Sequence, residues 1–525
     1  MYAVAPPQHC MAESLANENH SQYDSPSHEW CESVSGCAQG MVSNNNKTRG
    51  YALGLVLVAS VTLSACGGGS SETPSAPTVQ AMSDAAVAGE ALFNDKSLSA
   101  SGQQSCATCH VKSRAFTADP AVDKGLPVPL GGLNMDEPGF RNAPSLMYAA
   151  FTPPFSLEDG AASGGFFRDG RASTLAAQAI QPFVIPFEMA NADAAEVVSR
   201  LKSSPDTLRL YLKAFATDSF SDPNQTLTNM GAAIAAYETE DVAEFEPFTS
   251  KFDAYVDGKV KLSDRELNGL ALFNNPGKGN CTSCHPSVHQ ELSSRALFTD
   301  FSYDNIGIPR NWNIPANAAN PTNPINGTPL KYMPVAVNVP NDAEYSYYDM
   351  GICGPFVSDP QDAGARPDLV HLIPSCGQFK VPTLRNIALT APYFHNGAFP
   401  EIHEAVEWYI TRDINNNTGN NPTPVPAGPG GNPYKAVGTF FTAADGTPDL
   451  YQYNDLPVIY DANVNAGEVP YTAPAIAGGN GPTMTAQEID DLVLFLCTLT
   501  DGFDPNNPAA YNVPAQCQPI SSPSP

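Results

Sequence analysis

A chain of 525 residues can bury two or three cores, and this one carries 54 acidic against 26 basic residues, a formal charge of −28. That balance argues against nucleic acid as a partner and suits a basic protein or a small uncharged oxidant. Its 49 prolines and 40 glycines exclude an architecture of long uninterrupted elements and predict many ordered loops.

Residues 1–40 are polar and patternless and read as an N-terminal extension ahead of a start at Met41. Lys47-Thr48-Arg49, the apolar run 51–63 and Leu63-Ser64-Ala65-Cys66 then follow in the order of an export signal. The run is too short to span a bilayer. A cysteine at the cut makes 41–66 a lipoprotein signal, with Cys66 lipidated and tethered through its acyl chains to a periplasmic or cell-surface membrane face. Residues 67–82, rich in Gly, Ser, Pro and Thr, form a flexible linker.

From Ser83 a helical stretch through Gly89-Glu90-Ala91-Leu92-Phe93-Asn94 leads to Cys106-Ala107-Thr108-Cys109-His110. Helical periodicity returns at 175–180, 194–215 and 229–237. Leu267-Asn268-Gly269-Leu270-Ala271-Leu272-Phe273-Asn274, capped by Ser263 and Glu266, then leads to Cys281-Thr282-Ser283-Cys284-His285. Further helices are expected at 402–410 and 486–499, the latter opened by Thr485 and Glu488. Asn/Pro/Gly-rich stretches at 309–345 and 412–440 read as long loops, and 506–525 as a Pro-rich tail. Helix, loop and CxxCH at nearly the same offset is an internal duplication. It predicts a mainly α chain of two cytochrome c-type helical domains, 83–258 and 259–505.

Two cysteines three apart with a histidine directly after form the pattern for covalent haem c. The thiols add across the porphyrin vinyl groups, and the imidazole of His110 or His285 ligates the iron. One copy alone also fits a redox thiol pair or half a zinc site. Two copies on an exported chain, each behind a similar helix, make a di-haem protein. Of the twelve cysteines, Cys10, Cys31 and Cys37 fall in the extension, Cys66 at the signal cut and four in the haem motifs. Cys353, Cys376, Cys497 and Cys517 remain, and an oxidising compartment predicts two disulfides among them, 353–376 with 497–517 being the simplest of three connectivities.

Several further motifs carry a resemblance. They are Arg141-Asn142-Ala143-Pro144-Ser145, Asp169-Gly170-Arg171-Ala172, Pro186-Phe187-Glu188-Met189 and Phe298-Thr299-Asp300. The run Phe379-Lys380-Val381-Pro382-Thr383-Leu384-Arg385-Asn386 and its continuation Thr390-Ala391-Pro392-Tyr393-Phe394-His395-Asn396-Gly397 complete the set. Over 84–505 the chain resembles the bacterial di-haem cytochrome c peroxidases, and more closely their MauG-like branch.

The resemblance implies a peroxide-reactive haem on His110, with Glu188 as acid and base, and an electron-transfer haem on His285 with Tyr409 as its distal ligand. Between His110 and His285 there is no histidine to close the first iron. Met135 is a rival ligand there, and His403 a rival to Tyr409. The resemblance also implies one Ca²⁺ held by Asn142, Thr390 and Pro392, with His395 and Arg385 placed to contact haem carboxylates. Relatives carry tryptophan immediately before Asp-Gly-Arg as a relay between haems. Here that position is Arg168, which cannot hold a hole but can pair with a propionate. The relay then either shifts to Trp408 or an aromatic such as Tyr393, or works poorly.

The leading expectation is an oxidoreductase that uses hydrogen peroxide to oxidise a protein partner through a high-valent haem. The alternatives are a periplasmic peroxidase reducing peroxide to water with electrons from a small redox protein, and a non-enzymatic electron-transfer cytochrome. The proton-handling Glu188 and the open first iron argue against the last.

Overall fold

The computed structural model describes residues 81–317, 321–332, 348–353, 373–412, 440–442, 448–450, 455–456, 458–465, 467–470 and 482–517. The extension, the export signal with Cys66, most of the linker and most of the 412–440 stretch lie outside the described residues.

The architecture is mainly α. Its helices are α1 (Asp84–Asn94), α2 (Cys106–Cys109), α3 (Leu175–Ala179), α4 (Ala194–Ser203), α5 (Pro205–Ala214) and α6 (Pro223–Glu240) in the first half. Then come α7 (Val242–Phe245), α8 (Lys251–Val256), α9 (Asp264–Asn274), α10 (Ile402–Thr411) and α11 (Ala486–Cys497). The strands among the described residues form two-stranded antiparallel ladders. One of them, β5 (Tyr303–Asp304) with β6 (Phe379–Lys380), pairs Tyr303 with Lys380 and Asp304 with Phe379; the others are β1–β2 (130–131, 137–138), β3–β4 (156–158, 161–163) and β7–β8 (440–442, 448–450). Among the described residues no helix is long and apolar enough to cross a membrane.

The expected helix over 194–215 is two helices. Ser204 adopts an extended conformation and Pro205 opens the second, because proline lacks the N–H that a continuing helix needs and favours the first turn of a new one. The helix expected at 229–237 is longer, Pro223–Glu240, since Asp222 caps its start by accepting from Asn224 N and Gln225 N.

Each half builds its own core around one helix crossing. In the first, Gly89 of α1 lets α6 approach so closely that a Cβ would stand 2.0 Å from Ala233 O; in the second, Gly269 of α9 does the same against Asp491 O of α11, also at 2.0 Å. Leu92, Phe93, Met230 and Ile234 fill the first core, and Leu272, Phe273, Leu492 and Phe495 the second. The disulfides are Cys353–Cys376 and Cys497–Cys517. Beside the latter, Gln516 Oε1 accepts from Ile402 N at the start of α10 (2.6 Å) and from Tyr393 OH (3.1 Å), so this part of the tail is structural.

Candidate active site

Both haem motifs open on one cavity of about 500 Å³, whose walls include His110, Glu188, Arg168, Lys380, His285 and Tyr409. Cys106–Cys109 is a single helical turn boxed by Ser105 and Thr108. His110 Nδ1 lies 2.8 Å from Phe116 O, and His285 Nδ1 lies 2.8 Å from Phe298 O. A carbonyl only accepts, so Nδ1 carries the proton in each ring and the Nε2 lone pair is left for a metal. Burial holds both imidazoles below their ordinary pKa and therefore neutral.

The carbonyls are presented by strained residues, Phe116 at φ 57° and Phe298 at φ 54°, conformations a bulky side chain adopts at a cost of about 1–3 kcal/mol. Matching clamps hold the two loops. Thr117 Oγ1 donates to Ala143 O and Ser145 Oγ to Ala115 O; in the second half Thr299 Oγ1 donates to Val381 O and Thr383 Oγ1 to Leu297 O. Both loops carry a Phe-Thr pair, Phe116-Thr117 and Phe298-Thr299, a repeat that escaped the sequence reading.

Neither CxxC pair is a disulfide. Burial pushes Cys106, Cys109 and Cys281 up to about 12 and Cys284 to about 11, so the thiols are neutral.

Glu188 lies within electrostatic reach of Cys106 and Cys109. Its backbone is fixed by Gly132 N donating to Glu188 O (2.8 Å) and by the bare face of Gly131, where a Cβ would stand 2.9 Å from Glu188 Cα. These two glycines escaped the sequence reading. Met135 takes no place on the cavity wall; its sulfur accepts from Ser101 Oγ at 3.7 Å.

Tyr409 lies within electrostatic reach of Cys281 and Cys284, and burial, with Asp304 adding, drives its phenol upward. An adjacent ferric ion would reverse that preference, as bound cations do. His403 points elsewhere, toward Asp490 Oδ1 at 3.1 Å, and is not on the cavity wall.

Asn142, Thr390 and Pro392 all line the cavity. Asn142 Nδ2 is 2.6 Å from Pro392 O, while its Oδ1 is buried without a hydrogen-bond partner. Arg385 and His395 also line the cavity, each with protein partners of its own. Arg385 is neutralised by Asp253 through two 3.0 Å bonds and donates to Ala296 O at 2.7 Å. His395 stacks on Phe379 at 3.7 Å and places Nε2 3.1 Å from Asp455. Trp408 is off the cavity wall, packed against Phe394 and Tyr409 with centroids 5.4 Å away.

The family model described as di-haem cytochrome c peroxidase matches residues 83–261. The methylamine utilization protein MauG of Paracoccus denitrificans is 36% identical over 327 residues, 62% of this chain and 73% of that protein. The cytochrome c551 peroxidase of Nitrosomonas europaea is 29% identical over 326 residues, 62% of this chain and 72% of that one. The crystal structure of the diheme peroxidase BthA from Burkholderia thailandensis superposes with a TM-score of 0.62 at 33% identity, covering 80% of this chain and 86% of that one. The chain belongs to the di-haem cytochrome c peroxidase family. It is an oxidoreductase of that family, and its cofactors are two haem c groups.

The residues fit such haems: paired free thiols, two oriented neutral imidazoles and a shared cavity. Charge fits as well. Arg141 binds Asp349 through two 2.6 Å bonds and Asp169 at 2.8 Å, and Arg171 also binds Asp169. Arg168, by contrast, donates Nε to Asn142 O at 3.0 Å, and Lys380 donates to Gly165 O. Among the described residues neither forms an ion pair. Burial, with Arg141 adding and Asp349 opposing, lowers Arg168 to about 10; burial, with Asp169 opposing and Arg168 adding, lowers Lys380 to about 7. Two desolvated cations on this wall are matched to anionic groups such as haem propionates. Lys380 was quoted in a motif but given no role by sequence reasoning.

Proposed function

We propose that this di-haem enzyme uses hydrogen peroxide to oxidise a protein partner, in the manner of the MauG-like branch. The asymmetry of the two pockets carries the reading: Glu188 accompanies the first haem motif and Tyr409 the second. Bound haem would supply the iron on which peroxide is activated and the oxidising equivalents are held. The chain supplies the proton chemistry. Glu188 takes a proton from the near oxygen of peroxide on a carboxyl oxygen and returns it to the far one. Tyr409 would be the residue to ligate the second iron, a hard oxygen donor that would favour its oxidised state. Asn142, with the carbonyls of Thr390 and Pro392, is the oxygen set for one Ca²⁺, supported by the unpartnered Oδ1. The two cytochrome c-type halves divide at about 258/259, and Cys66 anchors the exported chain by lipid at the periplasmic or outer face.

Arg168 favours a second reading, peroxide scavenging with electrons from a small redox protein, because the usual aromatic between haems is absent. Stopped-flow spectra after adding peroxide, with and without a reduced donor, separate the two. An oxidised state that outlives the peroxide without donor, together with a mass change on a partner protein, supports the leading reading. Rapid turnover only with donor, with no persistent state, overturns it in favour of scavenging.

A further inference from the structure

The repeated helix crossing isolates one side chain. A Cβ on Gly89 would meet Ala233 O at 2.0 Å and Tyr237 Cβ at 2.9 Å; a Cβ on Gly269 would meet Asp491 O at 2.0 Å and Phe495 Cβ at 2.7 Å. Ala233 thus corresponds to Asp491 and Tyr237 to Phe495. Counting one residue on from each pair, Ile234 corresponds to Leu492 and Glu238 to Leu496. All four line the cavity. Where the second half presents a leucine, the first presents a carboxyl, 3% exposed, whose Oε2 has no hydrogen-bond partner. An apolar side chain serves this position in the other half, so the fold does not require an acid here, and burying one unbonded is costly.

Glu238 acts electrostatically on Cys106, which places it at the first haem motif. The charged groups on the elements packed against α6 are otherwise engaged or remote. Glu90 on α1 is exposed, and Asp84 pairs with Lys213 of α5. On α4, Glu196 pairs with Arg200, and Lys202 lies over the Phe220 ring; on α7, Glu244 pairs with Lys112. Neither α3 nor the turn Ala149–Phe151 carries a titratable side chain. Cys106 and Cys109 on α2 become thioethers once haem is attached. Burial alone raises Glu238, to about 8.

We propose that Glu238 is the redox-linked proton site of the first haem pocket, its carboxyl gaining one proton from solvent when that haem gains one electron and losing it when the electron leaves. The physical reason is charge. An added electron lowers the local positive charge and favours the neutral acid, while its removal favours the carboxylate. Reduction of this haem therefore becomes harder as pH rises, and in the second half the matching position, Leu496, offers no such proton site. This rests on the reading of one haem on each CxxCH motif.

The test is a spectroelectrochemical titration of both haems of the full protein between pH 6 and 10, in wild type, Glu238→Gln and Glu238→Leu. In wild type the first-haem potential should fall around pH 8 by up to a tenfold change in equilibrium constant per pH unit, about 59 mV for one electron. Both variants should lose that slope while the second haem keeps its own. Leucine already occupies the matching position, and glutamine keeps the shape, so folding is preserved in at least one. A reduced-minus-oxidised infrared spectrum gives a second readout, a carboxyl C=O band that vanishes in Glu238→Gln. Two haem waves with unchanged slopes in the variants overturn this inference alone; a single covalent haem overturns the two-haem reading with it.

Discussion

Arg385→Leu should be among the most destabilising single changes in this protein, for a reason visible only in three dimensions. The Arg385 and Asp253 side chains are 0% and 4% exposed, and two 3.0 Å bonds join them. The guanidinium also stacks over Phe248 at 4.5 Å and Tyr148 at 5.0 Å. Removing one partner of such a pair leaves a buried uncompensated charge and costs about 3–5 kcal/mol. Asp253 keeps its bonds from Ser250 N and Oγ, at 3.1 and 2.6 Å, and the Arg295 guanidinium at 3.9 Å, which places the expected loss near the lower end. Urea unfolding at pH 7, followed by circular dichroism and haem absorbance, measures it. Arg385→Leu/Asp253→Leu should lose less than the sum of the single changes, because the charge left behind is gone as well. The pair also fixes a pH dependence. Burial opposes ionisation of Asp253, but Arg385 and Ser250 together hold it below the usual carboxylate value of 3.8. Its contribution is therefore complete above that value and lost as pH falls through the lower folded value. The gap between wild type and Arg385→Leu should close on acidification. A loss under about 1 kcal/mol at pH 7, or strictly additive changes, would refute the reasoning.

The remaining predictions concern the site. Glu188→Gln should keep both haems yet slow the peroxide reaction by roughly 10²–10⁴-fold; reaction at wild-type speed in rapid mixing would place the proton shuttle elsewhere. Tyr409→Phe should open the second haem to added cyanide or imidazole in absorbance titrations, and a sulfur-to-iron band in wild type would contradict the assignment. Asn142→Leu should abolish one equivalent of tightly bound calcium measured by elemental analysis, whereas unchanged calcium would move that site away from Pro392. Arg168→Trp should increase the yield of an oxidised state shared by both haems in near-infrared spectra after peroxide, and an unchanged yield would show that the relay does not pass through this position.

Much of this was legible in sequence because it is local. CxxCH spacing, capping pairs such as Ser263 with Glu266, and the run through Pro392 are short patterns whose chemistry does not depend on distant chain. The break at Ser204–Pro205 was written in the proline but masked by continuous apolar periodicity on both sides. What stayed hidden joins residues far apart. Arg385 meets Asp253 across 132 positions and Arg141 meets Asp349 across 208, and no period or motif encodes such a pairing. The left-handed backbone of Phe116 and Phe298 was hidden for another reason: phenylalanine avoids that region, and only the surrounding hydrogen bonds impose it.

Arg168 shows how one substitution exchanges one property for another. Around it, Arg141 and Arg171 are paired with Asp169 and Asp349, whereas Arg168 and Lys380 feel those carboxylates only at longer range. A tryptophan there would leave only Lys380 and would remove the neighbouring charge that helps to lower its pKa. The arginine adds a second cation and so strengthens the demand for carboxylates such as haem propionates. The same charge opposes any positive hole placed nearby, by an amount that grows as the local dielectric falls. Of the aromatic residues that remain, Tyr393 lines the cavity and donates its hydroxyl to Ile387 O and Gln516, while Trp408 lies off the wall and packs beside Tyr409. The sequence places a cation where the resemblance leads one to expect a redox-active ring, and the Arg168→Trp comparison reads how far that charge limits communication between the haems.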